Sequence, residues 1–390
     1  MNAVEHERVV EYLNSHSGDM VKLLESLTRA ESPSSDAESQ FPVKEILRDE
    51  FESLGYRVRL LSGRTSGGSL FALPRQRERG RSPQLLLGHF DTVWPIGTLD
   101  SMPFEIEGNV IRGPGVFDMK GGVVQIIFAL RALQDLDLTP NITPVVFLNS
   151  DEEIGSRESG DYIRMLAKRV ERAFVMEPAL GTDGAIKTAR KGVGRFTVCV
   201  KGKAAHAGLD PEGGASAILE LSHVIQCLFQ MNDPERGISV NVGTIDGGIR
   251  PNVIAPESKA VIDVRVATTM DAEKIEREIR GIEPQVPGVT LEIDGFIGRP
   301  PLEPTPANRA LWAVAKDIAA KLDLELTQGL AGGGSDGSTT SQYTATLDGM
   351  GPVGDGAHAR HEHLLLDQTI ERAALLTLLL LAPTINGATL

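Results

Sequence analysis

The N-terminal part of the chain passes from a helical to a strand-like spacing of hydrophobic positions. Between residues 4 and 29, apolar side chains recur at three- and four-residue intervals, which predicts a helix pair or one interrupted helix. A further helical pattern spans Val43 to Leu54, and Tyr56–Leu61 then alternates between apolar and polar residues. The chain is therefore expected to begin with helices and to continue into a sheet.

The next part of the chain repeats one order, in which an apolar strand is followed by a polar cluster and then a helix. The predicted strands are Gln84–Leu87, Thr143–Leu148 and Arg172–Val175, and the predicted helices are Val123–Leu133 and Asp161–Arg169. This alternation predicts an α/β fold with a mixed, mostly parallel sheet flanked by helices. In such sheets the ligand site lies beyond the carboxyl ends of the strands, where each polar cluster falls.

The pattern changes near Arg190. Alternating strands are predicted at Arg195–Val200, Ile238–Ile245, Lys259–Val266 and Thr290–Ile293, with helices at Ala215–Phe229 and Ala272–Ile282. This strand-helix-strand-strand-helix-strand order predicts a ferredoxin-like α+β domain inserted at residues 190–298. Residues 1–189 and 299–390 would then form the larger domain, and a group of prolines that begins at Pro300 marks the exit from the inserted domain.

The composition narrows the classes of partner. A net charge of −14 over 390 residues disfavours binding to nucleic acid or to anionic membranes. No apolar run reaches the ~18 residues of a membrane span, and the N-terminus lacks the apolar core of a signal peptide, so a cytoplasmic location is expected. Two cysteines, Cys199 and Cys227, are too few for a disulfide framework and fit buried thiols in a reducing compartment.

Ionisable residues follow several of the predicted strands. They are His89 and Asp91 in LLLGHFDTV, Asp118 in GPGVFDMKGG, Glu152 and Glu153 in NSDEEIGS, Glu177 in VMEPA, and His358 in GDGAHARHEH. Taken singly, each has a structural explanation, such as a capped turn, a helix N-cap or a solvated acidic loop. Together they predict one cluster at a sheet edge, and clustered carboxylates need cations to neutralise them.

The charges of this cluster favour two divalent ions over one. With two neutral histidines, Asp118, Glu153 and Glu177 contribute three negative charges as ligands. Two divalent ions and a bridging hydroxide would bring the total to zero, whereas one ion would leave a site of about −2.

These motifs resemble those of a known family. GHFDTV, GPGVFDMKGG, DEEIGS, MEP, KGKAAHAG, RPNVIAP, DVR, GGGSDG and GAH-x3-E occur between about Gln84 and Asp367. Their order is that of the zinc exopeptidase family of glutamate carboxypeptidases, aminoacylases, acetylornithine deacetylases and succinyl-diaminopimelate desuccinylases. The motifs are most similar to those of bacterial glutamate carboxypeptidases. The resemblance implies a catalytic, metal-binding α/β domain and an inserted lid or dimerisation domain, through which a homodimer would form.

The resemblance implies a role for each candidate ligand. Asp118 would bridge two metal ions. His89 and Glu177 would complete the ligands of one ion, and Glu153 and His358 those of the other. Imidazole and carboxylate ligands suit zinc, with manganese or cobalt as alternatives.

The resemblance also implies the catalytic residues. Asp91 would orient the ring of His89. Glu152 would be the general base that takes a proton from the water shared by the metals and passes it to the leaving nitrogen. Because neighbours in an extended segment point to opposite sides, Glu153 could bind metal while Glu152 faces this water. His206, in AAHAG, would stabilise the oxyanion, either within its own chain or across a dimer.

Substrate recognition rests on fewer residues. Asn252 and Arg265 match positions that bind the carboxylate end of the substrate. The loop of Gly333, Gly334 and Ser335 could offer backbone N–H groups to an anion. Arg299 would either read a side-chain carboxylate or form a salt bridge at a hinge.

The resemblance implies hydrolysis of an amide bond next to a C-terminal amino acid, in a small peptide or an N-acyl amino acid. An aminoacylase or N-acyl amino acid deacylase is the alternative within the same chemistry. A non-catalytic binding protein on the same fold is disfavoured, since the ligands, Glu152 and His206 are all present. After His358 the sequence departs from the family pattern: Glu362 keeps an acidic position, but His361 and His363 are unusual, and either lie on the surface or shape the pocket.

Overall fold

A computed structural model describes residues 3–77 and 82–384. The helices are α1 Ala3–Ser15, α2 Ser17–Arg29, α3 Phe41–Ser53, α4 Gly121–Asp135, α5 Gly160–Ala167, α6 Ala217–Gln230, α7 Thr269–Arg280, α8 Pro306–Ala320, α9 Asp336–Thr340 and α10 Leu366–Leu381. The strands are β1 Tyr56–Leu61, β2 Ser69–Pro74, β3 Gln84–His89, β4 Glu105–Glu107, β5 Val110–Arg112, β6 Pro144–Asn149, β7 Arg172–Val175, β8 Ile186–Arg190, β9 Gly192–Lys201, β10 Ser239–Gly247, β11 Glu257–Val266, β12 Thr290–Arg299, β13 Gln328–Ala331, β14 Ala345–Leu347, β15 Gly354–Asp355 and β16 His363–Leu365.

The chain packs as two compact units. Unit 1 comprises residues 1–189, 304–331 and 335–390, within the described part of the chain. Unit 2 comprises residues 190–303 and also takes in residues 332–334. Each unit has a hydrophobic core of its own.

A six-stranded sheet forms the centre of unit 1, in the order β1-β2-β6-β3-β7-β14. Strands β6, β3, β7 and β14 run parallel, and β1 and β2 complete one edge in antiparallel register. Every residue of β3, β6 and β7 is buried, as expected for strands covered on both faces. The prediction of a mixed, mostly parallel α/β sheet is therefore confirmed, and the three central strands lie where the sequence predicted them.

Helices cover both faces of this sheet. Leu86 and Val146 face a large core that includes α4 and α10, whereas Leu85 and Val145 face a smaller core that includes Ile163 of α5. The N-terminal helical pattern forms two helices, α1 and α2, which meet at His16. Within the described residues, no helix is long and apolar enough to cross a membrane.

A small antiparallel sheet, in the order β15-β16-β5-β4, joins two distant parts of unit 1. Leu364 of β16 pairs with Ile111 of β5, and both are fully buried. The loop between β15 and β16 and the segment after β5 consequently emerge from neighbouring strands. These short strands have no strong sequence pattern and were not predicted.

Unit 2 has the ferredoxin-like plan that the sequence predicted. Its strands and helices follow the order β9-α6-β10-β11-α7-β12, and the antiparallel sheet has the order β10-β11-β9-β12. Alternate residues of β9 and β11 are buried against the two helices. Ser216 and Thr268 cap α6 and α7 with their side chains, and α7 begins three residues before its predicted start because Thr268 is the cap. Strand β12 extends to Arg299, beyond its predicted end.

Candidate metal centre and substrate-binding residues

His89 is the last residue of β3, and its ring is buried. Nδ1 lies 3.0 Å from the backbone oxygen of Asp91 and 3.3 Å from Asp91 Oδ1. Two acceptors beside Nδ1 favour the tautomer with its proton there, which leaves the Nε2 lone pair for a metal. Nε2 lies 3.3 Å from Asp118 Oδ1 and 3.5 Å from Glu177 Oε1.

Asp118 lies between the two histidines of the cluster. Oδ1 is near His89, as described, and Oδ2 lies 3.4 Å from His358 Nε2. Asp118 does not follow a strand of the main sheet: it stands on the irregular segment 116–120, which links the small sheet to α4. Its placement at a strand end was therefore wrong, because the small sheet, and not the main one, delivers this residue.

His358 also reaches the cluster from the small sheet, in the loop between β15 and β16. Its Nε2 lies 3.0 Å from Glu153 Oε2, and its side chain is half exposed. The backbone φ of His358 is +61°, in the left-handed region that residues other than glycine rarely adopt. Strained backbone of this kind persists only where surrounding contacts hold it, and it concentrates at functional sites.

Glu152 and Glu153 lie in a tight turn after β6. The turn is closed by hydrogen bonds from Gly155 N to Glu152 O, at 2.8 Å, and from Ser156 N to Asp151 O, at 2.7 Å. The expectation of an extended segment was therefore wrong. The turn still directs the two carboxylates to different partners: Glu153 contacts His358, and a Glu152 oxygen lies within 4.8 Å of ligand atoms of His89 and Glu177.

Asp91 has a wider role than orienting His89. Its buried carboxylate accepts hydrogen bonds from the amides of Glu152 and Glu153, both at 3.3 Å, and from the Ser34 hydroxyl at 2.6 Å. One carboxylate thus connects the His89 ring to the turn that carries the two glutamates. Ser34 was not predicted as part of the site, because it lies far from every motif.

Two sets of side chains in the described residues have the composition of metal sites. One contains His89, Glu152 and Glu177, and the other contains His89, Asp118 and Glu153; within each set the possible ligand atoms lie within 4.8 Å of one another. His89 Nε2, Asp118 Oδ1 and Glu153 Oε1 are buried atoms with no hydrogen-bond partner among the described residues. Buried polar atoms are nearly always paired, so atoms left over in one cluster fit a bound cation. Imidazole nitrogen and carboxylate oxygen are suitable ligands for zinc.

The electrostatics of the cluster support the same conclusion. Burial disfavours the charged form of His89, but the carboxylates of Asp118, Asp91 and Glu177 outweigh it and raise the pKa well above its usual value. Hydrogen bonding to Asp118 and Glu153 raises the pKa of His358 to about 10. Burial raises the pKa of Glu153, and the neighbouring Asp118 adds to this. The cluster therefore attracts positive charge, as protons or as metal ions.

His206 lies in an exposed turn of unit 2. Its Nδ1 accepts hydrogen bonds from the amides of Gly208 and Leu209, each at 3.2 Å. In the neutral ring the proton must then sit on Nε2, which makes this atom a hydrogen-bond donor. Asn252 lies beside it, since the backbone oxygen of Asn252 accepts from Ala207 N at 3.0 Å.

The guanidinium of Arg265, in β11 of unit 2, is held in a fixed orientation. Nε and Nη2 donate to the two carboxylate oxygens of Asp263 at 2.8 and 3.0 Å. Nη1 reaches the backbone oxygen of Gly332 at 3.5 Å. Two of the three guanidinium nitrogens of Arg265 therefore already bind a neighbouring carboxylate, and this partner was not predicted from the sequence.

Two further arginines of unit 2 lie against the glycine-rich loop. Arg190 Nη1 donates to the backbone oxygen of Gly333 at 3.1 Å. Arg299 is half buried, and its side chain packs against Gly334 closely enough that a Cβ there would meet it at 3.1 Å. Arg265, Arg190 and Arg299 thus all lie at residues 332–334.

Ser335 has a structural role in unit 1. It is fully buried, caps α9, and donates its hydroxyl to Asp348. Its amide approaches the Ser338 hydroxyl at 3.5 Å within a capping box. The hydroxyl and amide of Ser335 are thus engaged inside the protein, in contrast to those of an open anion-binding loop.

The unusual histidines lie at the β15–β16 hairpin. His361 is exposed, with Nε2 3.9 Å from Asp355 Oδ2. His363 belongs to β16, and its Nδ1 lies 2.9 Å from the backbone oxygen of His361. Neither histidine belongs to the metal-binding sets found among the described residues.

The model of peptidase family M20/M25/M40 matches residues 85–382. Carboxypeptidase G2 of Pseudomonas sp. (strain RS-16) is 28% identical over 348 residues, which cover 87% of this chain and 83% of that protein. Succinyl-diaminopimelate desuccinylase of Ectopseudomonas mendocina is 26% identical over 298 residues, covering 71% and 77% of the two chains. The crystal structure of aminopeptidase PepT from Bacillus cereus shares the fold, with a TM-score of 0.73, 19% identity and coverage of 95% and 98%.

Proposed function

The chain belongs to peptidase family M20/M25/M40, and from this premise we propose that it hydrolyses an amide bond adjacent to a C-terminal amino acid with the help of two divalent metal ions. The observation that carries this proposal is the position of Asp118, whose two carboxylate oxygens face His89 and His358 separately. We propose that Asp118 is shared by the two ions, that His89 and Glu177 bind one of them, and that Glu153 and His358 bind the other.

We propose zinc as the metal, because the ligand set contains imidazoles and carboxylates. Bound divalent ions polarise a carbonyl and lower the pKa of coordinated water. Manganese or cobalt could occupy the same ligands. Metal analysis of the purified protein, together with activity after reloading each metal, distinguishes these cases.

Glu152 is the proposed general base. It stands beside His89 and Glu177, and its position in the turn is held by the hydrogen bond from its amide to Asp91. Its carboxylate would take a proton from the attacking water and deliver it to the leaving nitrogen. His206 would donate from Nε2 to the oxygen that becomes negative, because its Nδ1 is occupied by two amides.

We propose that the carboxylate of the substrate's C-terminal amino acid binds Asn252 and Arg265, with the backbone of Gly333 and Gly334 nearby. The contact between Arg265 and Gly332 supports grouping these residues. Because Asp263 already holds the guanidinium, binding would use the remaining Nη1 edge or displace Asp263. Arg299, at Gly334, is proposed to select for a substrate with a second carboxylate, such as a C-terminal glutamate.

The deacylase alternative is supported by similarity to a desuccinylase. The two candidates differ in which side of the amide is recognised. Steady-state kinetics on N-acyl-glutamates and on N-acetylated neutral amino acids separate them. The carboxypeptidase proposal predicts higher kcat/KM for the glutamate conjugates; much faster cleavage of acetylated neutral amino acids would favour the deacylase.

Substitution of Glu152 by glutamine tests the mechanism. We expect retained metal and a loss of kcat of about a thousandfold, which corresponds to about 4 kcal/mol of activation free energy. Glu105→Gln is a matched control, because Glu105 is exposed and belongs to neither of the metal-binding sets found among the described residues. Near-normal turnover in Glu152→Gln would remove Glu152 from its proposed role.

We also propose that the protein forms a homodimer through unit 2. Strand β10 is an edge strand of its sheet, and a groove of about 740 Å³ lies near it. Ile218, Leu219 and Ile249 line this groove and are exposed, as is Ile245 of β10. An apolar surface beside an open strand edge is typical of a protein interface. Analytical ultracentrifugation of the wild type and of Ile245→Asp tests the proposal, and a monomeric wild type would contradict it.

A cytoplasmic location stays a prediction from the sequence.

A further inference from the structure

The carboxylate of Glu362 is fully buried and faces four N–H donors. Oε1 accepts from the amides of Phe117 and Asp118 at 3.0 and 3.1 Å. Oε2 accepts from the amide of Gly115 at 3.0 Å and from the indole of Trp94 at 2.7 Å. The four contacts use both oxygens, so the side chain is bound on two sides.

These donors belong to the segments that carry the metal ligands. Asp118 donates its own amide to Glu362, and Trp94 lies on the loop that follows His89. Glu362 itself ends the turn that carries His358: its amide donates to Ala359 O at 2.9 Å. One carboxylate therefore connects the hairpin of His358 with two segments that are 244 to 268 residues away in the sequence, and the three segments supply ligands to both proposed metal ions.

We propose that Glu362 is a positioning residue of the two-metal centre, which fastens the Asp118 segment and the Trp94 loop to the hairpin that carries His358. This inference rests on the proposed function, because it presupposes that these residues bind metal. Glu362 would contact neither metal nor substrate. It would instead hold the Asp118 segment against the hairpin, so that the Asp118 carboxylate lies between His89 and His358.

The need for such a residue follows from the local backbone. Segment 116–120 is irregular, with non-helical φ and ψ at Asp118 and Met119, so no continuous helix or sheet ladder determines its position. His358 adopts a left-handed conformation that surrounding contacts must maintain. Groups behind the ligands that hold them in place commonly affect metal affinity or activity by 10- to 100-fold.

A carboxylate is the only common side-chain group that satisfies this arrangement. Four donors of the described residues face it, and a carboxylate accepts with both oxygens. Glutamine has the same size but offers one oxygen, so its NH₂ group would face two N–H donors. Glu362→Gln should therefore displace either the Asp118 segment or the Trp94 loop, while the surrounding hydrophobic contacts remain.

The experiment uses the full chain and zinc alone as the probe. Zinc affinities of the metal-free protein are measured by competition with a chromophoric chelator, for the wild type, Glu362→Gln and a matched control, Glu107→Gln, whose side chain is 86% exposed. Cobalt-substituted protein reports the ligand geometry by absorption spectroscopy. We expect Glu362→Gln to bind zinc 10- to 100-fold more weakly, with an altered cobalt spectrum, a similar fall in kcat at saturating zinc and KM within about twofold.

If Glu362→Gln fails to fold, Trp94→Phe tests the same inference, because it removes one of the four donors and retains an aromatic ring. We expect a several-fold loss of zinc affinity from it. Wild-type zinc affinity and cobalt spectrum in Glu362→Gln, or in Trp94→Phe when only that variant folds, would overturn the inference. The proposed function can fail without this inference failing. If the wild type binds two zinc ions but hydrolyses no amide, the zinc affinities of the Glu362 variant still test the positioning role.

Discussion

Replacement of Asp118 by asparagine is the most informative single change in the metal centre. Each oxygen of this carboxylate faces a different histidine, at 3.3 Å for His89 and 3.4 Å for His358. Glu177, by contrast, lies 3.5 Å from His89, and Glu153 lies 3.0 Å from His358. We therefore expect Asp118→Asn to weaken both metal sites, and Glu177→Gln or Glu153→Gln to weaken mainly one.

The expected loss of metal affinity in Asp118→Asn follows from the loss of one charged partner in a buried site. Asp118 is largely buried, and such a loss costs about 3 to 5 kcal/mol. Since about 1.4 kcal/mol is a factor of ten, each metal should bind at least 100-fold more weakly. The glutamate variants should keep one site near wild-type affinity.

The assay is a zinc titration of the metal-free protein in competition with a chelator, with the metal content measured after dialysis. Asp100→Asn is a matched control, because Asp100 is exposed and lies outside the cluster. Loss of only one zinc ion from Asp118→Asn, with the second site unchanged, would refute the assignment of a shared carboxylate. Retention of both ions at wild-type affinity would remove Asp118 from the ligand set.

Three further predictions concern catalysis and stability. His206→Ala should lower kcat about 100-fold or more without changing zinc content, because it removes an oxyanion donor; an unchanged kcat would contradict this. Arg172→Met should lower the free energy of unfolding by about 3 kcal/mol in urea denaturation, since buried acceptors in α10 and at its end lose their donor; the exposed Arg169→Met is the control. Burial raises the pKa of Glu158, but hydrogen bonds from residues 64–66 outweigh it and hold the pKa at about 2, below its usual 4.5. The resulting stability is present above pH 4.5 and is lost as the pH falls through about 2, so Glu158→Gln should flatten the acid limb of a stability-against-pH curve.

Part of the metal centre was predictable because parallel strands present their carboxyl ends at one edge of a sheet. His89 is the last residue of β3, the Glu152–Glu153 turn follows β6, and Glu177 follows β7. These strands are continuous apolar runs, which only strands buried on both faces require. Local pattern was therefore enough to place four ionisable residues together.

The other two candidate ligands are brought into the cluster by a strand pairing that no local pattern shows. Asp118 and His358 reach the cluster because β5 pairs with β16, two strands of three residues that are separated by most of the chain. The hydrophobic period of so short a strand is not distinguishable from that of a loop. The motifs implied that these residues lie close together. The strand pairing that brings them together could only be seen in the folded chain.

The fold class, the ferredoxin-like plan of unit 2 and the candidate metal ligands could be predicted from the sequence, because periodicity and residue chemistry are local properties. How those residues are held depends on contacts that form only in the folded chain. Asp91 supports the Glu152–Glu153 turn, Glu362 accepts from the Asp118 segment, and Asp263 occupies Arg265. Most of these hydrogen bonds join side chains to backbone groups far away in the sequence, and such partners are selected by the packing of the whole unit.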